Sequence, residues 1–136
     1  MAGLNKTFIN DVHYLDDGSA AGGTNMGATF TASKVYSGTP GNPTGGFVLD
    51  KATGYAIQVV WTGTTSPVGT IQLNGSNDNV NWTALSGASA AVSGAGSFIF
   101  KEASPYYKFV QLVYTRTSGG ASDVLTATIR VVTQKL

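Results

Sequence analysis

The chain has 136 residues, no cysteine, 42% hydrophobic side chains, 11% charged ones and a formal net charge of +1. That length suits one domain with a sizeable core, and the lack of cysteine excludes disulfides, iron–sulfur clusters and thiolate zinc sites. The balanced charge gives no footprint for nucleic acid, no run of about 18 apolar residues offers a membrane span, and Met1 to Lys6 lacks the order of a secretory leader.

The charged share is less than half of the roughly 25% of an ordinary domain. The surface must therefore be built from Ser, Thr, Asn, Gly and Ala. Such a surface repels its neighbours weakly and suits a protein docked in an assembly.

In chain order, residues 1–27 stand apart. Phe8, Ile9, Val12, Tyr14 and Leu15 are apolar, and Asp17-Gly18 through Gly23 reads as a flexible joint. Either this segment is a first strand, or it is an arm that docks on a neighbour by adding a strand to its sheet. Residues 28–136 form the predicted β-sandwich domain. Ala28–Tyr36 and Phe47–Leu49 are short strands with weak patterning. Tyr55–Trp61 is the clearest strand, with Tyr55, Ile57, Val59 and Trp61 on one face, because side chains alternate along a strand. Thr62–Pro67 is a loop. Gly69–Asn74 alternates cleanly, with Ile71 and Leu73 inward.

Gly75–Asn79 is a turn cluster, and Asn81–Leu85 is a short strand expected to bury Trp82. Ser97–Glu102 puts Phe98 and Phe100 on one face and Ile99 on the other. Tyr106–Arg116 points Val110, Leu112 and Tyr114 inward. Its outward residues, Phe109, Gln111, Val113 and Thr115, are unusually apolar, so Phe109 and Val113 are expected to meet a partner. Val124–Thr133 closes the domain with Leu125, Ala127, Ile129 and Val131 in phase. No segment shows a capped helical period. The expectation is an all-β antiparallel sandwich of about seven or eight strands, with a closed barrel as the other architecture.

Groups for chemistry are scarce. His13 is the only histidine and Glu102 the only glutamate. The aspartates, Asp123 among them, fall in predicted turns or at strand ends, where turn chemistry accounts for them. No catalytic residue, cofactor or metal site is expected. Asp16-Asp17-Gly18 and Asn77-Asp78-Asn79 carry calcium-type oxygens but do not resemble an EF-hand loop. Trp61, Trp82, Tyr106, Tyr107 and Tyr114 are the aromatic candidates for a sugar platform, or else for core and interface.

Two stretches carry a resemblance. Ile57-Gln58-Val59-Val60-Trp61-Thr62-Gly63 precedes Gly69-Thr70-Ile71-Gln72-Leu73-Asn74-Gly75-Ser76-Asn77-Asp78-Asn79-Val80-Asn81-Trp82-Thr83, and Tyr107–Thr115 follows. Over about residues 55–131 this order resembles small sandwich proteins of tailed bacteriophages and other viruses. It is also similar to the discoidin-like domain, whose core has a comparable G-S-x-D-x-x-x-W hairpin. The resemblance implies a sandwich of jelly-roll or discoidin-like type, with the Trp82 indole plugging its end. No cysteines join the termini as in a discoidin-type lectin. The resemblance therefore implies a capsid decoration (cement) protein of a virion, assembled in the host cytoplasm. Such a protein would bind capsid protein or other virion subunits as a homo-oligomer, with neither nucleic acid nor membrane as partner. The alternative is a carbohydrate-binding module.

Overall fold

The computed structural model describes residues 5–8, 13–16, 23–32, 34–36, 47–48, 52–103 and 105–135. They form β1 (Asn5–Phe8), β2 (His13–Asp16), β3 (Thr24–Asn25), β4 (Phe30–Ala32), β5 (Lys34–Tyr36), β6 (Phe47–Val48), β7 (Ala52–Trp61), β8 (Val68–Ser76), β9 (Thr83–Ser93), β10 (Gly96–Ala103), β11 (Phe109–Ser118) and β12 (Val124–Lys135). No helix occurs among the described residues. The antiparallel sandwich expected from the sequence is the architecture observed.

One sheet runs β10-β7-β12-β2-β5, with β1 and β3 also on β12, and the other runs β4-β11-β8-β9, with β6 also on β11. Three short segments share the edge of β12 away from β7: β3 meets Val124 and Leu125, β2 meets Ala127 to Ile129, and β1 meets Val132 to Lys135. β4 and β6 share one edge of β11 in the same way. The N-terminal segments β1 and β2 are thus paired by backbone within their own chain. Ile9, Val12 and the joint from Asp17 to Gly22 lie outside the described residues.

The core follows from the alternation. Tyr55, Ile57, Val59 and Trp61 of β7 face Ile71 and Leu73 of β8 and Val110, Leu112 and Tyr114 of β11, all buried. Leu125, Ala127 and Ile129 continue the layer on β12. Each such side chain contributes about 1.5–3 kcal/mol by leaving water. Truncating the fully buried Ile57 to Ala is expected to cost about 3 kcal/mol. Two glycines are fixed by aromatic rings. A Cβ at Gly69 would stand 2.7 Å from Tyr114 Cε2, and one at Gly96 would stand 2.7 Å from Trp61 Cζ2.

Several expectations need correction. β9 starts at Thr83 and runs on to Ser93. Trp82 precedes it, only partly buried and outside the core cluster, so it does not plug the sandwich. β11 starts at Phe109, not Tyr106. Phe98 lies on the core side of β10, yet it is 43% exposed because β10 is the last strand of its sheet. On the outward face of β11 it is the polar Gln111 that is buried, while Phe109 and Val113 are half-buried.

Candidate functional site

The β8–β9 turn is organised from inside. Ser76 Oγ accepts the amides of Asp78 (3.2 Å) and Asn79 (3.0 Å) and donates to Asp78 Oδ1 (2.9 Å). The same Oδ1 accepts the amides of Val80 (2.9 Å) and Asn81 (2.7 Å), while Oδ2 accepts Asn81 Nδ2 at 2.7 Å. The Asn81 amide and side chain, the Val80 amide and the Ser76 hydroxyl hold the Asp78 carboxyl well below the usual carboxylate range. Asn79 takes a left-handed backbone, φ 60°, which closes the turn. The Lys108 amide reaches both Ser76 O (3.1 Å) and Asn77 Oδ1 (3.1 Å), which ties this turn to the segment leading into β11.

An open cleft of about 440 Å³ lies between these two segments, lined by Ser76, Asn77, Asp78, Asn81, Thr83 and Tyr107. Tyr107 stands edge-on to Tyr55 at 6.3 Å between ring centroids, and their hydroxyls are hydrogen-bonded. Burial, then the hydrogen bond shared with Tyr107, pushes the Tyr55 phenol far above its ordinary range, so both phenols stay protonated. Val80 is 75% and Tyr106 94% exposed on the loops that frame the cleft.

A second cleft, about 220 Å³, opens between β9 and β10 over Tyr55, Leu73 and Phe100. It exists because β9 leaves its partner. Gln72 pairs with Ser89 and Asn74 with Ala84, so Leu85–Ala88 bulge out. Gln72 Nε2 bridges the break by donating to Leu73 O (2.7 Å) and Leu85 O (3.0 Å). Phe98 stands at the lip with its ring 4.7 Å from that of Phe100. On the outer face of the same sheet, Ile99 pairs with Gln58 and Ser97 with Val60. Ile99 and Val60 are therefore diagonal neighbours on one surface, 51% and 47% exposed.

At the β7–β8 loop, Asp123 is fully buried and gathers a loop distant in sequence. Its Oδ1 accepts Thr62 Oγ1 (2.7 Å) and the Thr64 amide (2.6 Å), and its Oδ2 accepts the Thr65 amide (2.8 Å) and Thr65 Oγ1 (2.6 Å). Burial pushes the carboxyl up. The hydroxyls of Thr65 and Thr62 and the amides of Thr65 and Thr64 outweigh it and bring the pKa down to about 2. Turn chemistry alone does not account for this residue, and no neighbouring residue in the chain marks it as buried.

The aromatic candidates are dispersed. Trp61 and Tyr114 are core residues, and Trp61 Nε1 donates to Gly94 O at 2.7 Å, so neither can form an exposed platform. Tyr107 lines the first cleft, while Tyr106 stands exposed on the segment beside it. Of the expected arm, Phe8, Tyr14 and Leu15 sit in strands paired with β12. Val60, Phe98 and Ile99, the exposed apolar residues of β7 and β10, were read only as strand residues. No local signal marks the exposure of Phe98 and Ile99, which follows from the place of β10 at the end of its sheet. Among the described residues no group of three or more His, Asp or Glu gathers as metal ligands, and no helix is long and apolar enough to cross a membrane.

These features define the class: a two-sheet antiparallel β-sandwich with clefts at the β8–β9 end and along the β9–β10 side. The same fold occurs in the SPBc2 prophage-derived protein YomS. The match has 15% identity and a TM-score of 0.55, and covers 98% of this chain and 97% of that one. Less similar solved structures include a CBM4 module (15% identity, TM-score 0.43, 86% of this chain and 67% of that one). Another is the N-terminal cellulose-binding domain of Cellulomonas fimi β-1,4-glucanase C (13% identity, TM-score 0.37, 91% of this chain and 76% of that one). No protein-family model and no curated protein sequence matches the chain.

Proposed function

We propose that this protein is a non-enzymatic structural component of a phage particle, attached to a capsid or other virion subunit through protein–protein contacts. The observation that carries this reading is the exposed apolar pair of Val60 and Ile99, diagonal neighbours on the outer face of β7 and β10, with Phe98 exposed on the opposite face of β10, the last strand of its sheet. A near-neutral surface with few charges leaves such a group without the electrostatic guard that keeps free proteins apart. The fold shared with a prophage-derived protein over nearly the whole of both chains supports the phage setting. Bridging neighbouring subunits would stabilise a shell, because dissociation then requires every bridge to break.

In this reading Val60 and Ile99 are the contact centre, and Phe109, Val113 and the segment from Phe8 to Leu15 are secondary contacts. The test is co-sedimentation of the purified chain with particles of its phage that lack it. Val60→Lys with Ile99→Lys is expected to cut attachment at least about tenfold with no change in the thermal midpoint, since both side chains already face water. Attachment of the double variant at the wild-type level removes this surface from consideration.

A further inference from the structure

The cleft beside the β8–β9 turn differs in chemistry from the patch on β10. Its volume of about 440 Å³ falls in the roughly 300–1,000 Å³ range of small-molecule sites. One wall is a turn whose shape is fixed before any ligand arrives: Asp78 and Ser76 collect the amides of Asp78, Asn79, Val80 and Asn81. The other wall is the half-buried ring of Tyr107, held by the hydroxyl contact with Tyr55. Close approach to the floor depends on Gly75, where a Cβ would lie 3.0 Å from Tyr107 Cγ and Leu85 Cδ2.

The polar groups left over are of one kind. Asn77 uses its carbonyl on the Lys108 amide, which leaves its Nδ2 as a donor. Asn81 uses its Nδ2 on Asp78, which leaves its Oδ1 as an acceptor. The Thr83 hydroxyl offers both functions from an exposed position. A metal ion is a poor fit, because the carboxylate oxygens of Asp78 already receive four hydrogen bonds. An anion would meet that carboxylate's charge, and a purely apolar ligand would strand the amides. What remains is a neutral ligand with an apolar ring face and a polar edge.

We propose that the cleft between the Ser76–Asn81 turn and Tyr107 binds a neutral saccharide, with a sugar ring face on Tyr107 and hydroxyls on Asn77, Asn81 and Thr83. The exposed Tyr106 and Val80 extend the contact beyond the cleft mouth. The site is independent of the Val60–Ile99 patch, so a particle-bound copy would hold its cleft free for glycan.

The test is an amide-resolved NMR titration of the full chain with cellohexaose, xylohexaose, maltohexaose and mannohexaose. At least one is expected to give saturable shifts confined to residues 76–83 and 105–108, with a dissociation constant between about 10 μM and 10 mM. Thr83→Val, an exposed and nearly isosteric change, is expected to weaken that affinity at least about fivefold. Tyr107→Phe keeps the ring but loses the hydroxyl contact that holds it, and is expected to weaken binding less than Tyr107→Leu, which abolishes it. Absence of shifts with all four sugars overturns the proposal, as do shifts located on β7 and β10, or an affinity unchanged by Thr83→Val.

Discussion

Two aspartates hold loops in this protein, and they work over different distances along the chain. Asp78 binds groups two and three residues away, all within its own turn. Asp123 binds Thr62, Thr64 and Thr65, across 58 to 61 residues. The first carboxylate shapes its turn through bonds made within the turn itself. The second joins the start of β12 to the β7–β8 loop, and its hydrogen bonds exist only when β12 has paired with β7. Around it, Thr62 Oγ1 passes the network on by accepting the Val124 amide (3.1 Å), and Thr65 Oγ1 accepts the Ser122 amide (3.1 Å). The Met26 amide reaches the Asp123 carbonyl (2.9 Å). One local device presents a cleft; one non-local device closes the fold.

The sharpest way to break this comparison is to remove each carboxylate in turn. Asp123→Ala leaves two loop amides and two hydroxyls without their acceptor and should lower the thermal midpoint by about 10 °C or more. Asp78→Ala affects only a solvated turn and should lower it by about 3 °C, with faster amide exchange confined to residues 76–81. Circular dichroism melts and hydrogen exchange measure both. Equal losses in the two variants would mean that the distinction between local and non-local clamps has no energetic content.

Acid should separate the same pair less strongly. The Asp123 carboxyl has a pKa of about 2 in the folded protein against an ordinary 3.8. A carboxyl depressed in the folded state contributes stability above its unfolded-state pKa and loses it as pH falls through the folded one. The contribution is therefore complete above about pH 4 and fades toward about pH 2. Asp78 shifts in the same direction, so wild type carries both slopes. In melts taken across that window, Asp123→Asn should begin less stable at neutral pH and then fall less steeply than wild type. Asp78→Asn should keep the part of the slope that belongs to Asp123. A slope unaltered by Asp123→Asn would place the acid sensitivity elsewhere.

The same contrast explains what could be read without coordinates. The period-two alternation of Tyr55, Ile57, Val59 and Trp61, and of Val110, Leu112 and Tyr114, is a local property of the chain, and it identified both central strands and their inward faces. Gly75 to Asn79 announced a turn by residue type. By contrast, the burial of Asp123 depends on Thr62 and Thr65 arriving from another strand, and nothing within a few residues of Asp123 signals it. The exposure of Phe98 and Ile99 depends on β10 being last in its sheet, which is a matter of strand order. The cleft had a mixed standing: its turn and Tyr107 were each visible, while their juxtaposition through the Lys108 amide was not. Trp82 misled because a hydrophobic side chain after a turn resembles a core plug, and here β9 begins one residue too late to carry it inward.

The smallest expected effect tests whether the turn is as self-contained as the Asp78 network implies. Asn79 sits at φ 60°, a conformation that Asn tolerates better than other side chains except Gly. Both Asn79→Ala and Asn79→Gly remove the side chain, and only Ala then meets the cost of the left-handed angle, so Asn79→Ala should be about 1 kcal/mol less stable than Asn79→Gly. Denaturant titration with an unchanged slope would read both. A loss from Asn79→Gly as large as that from Asn79→Ala would show that the Asn79 side chain, and not its backbone angle, supports the turn. The turn would then depend on that side chain as well as on the Asp78 network.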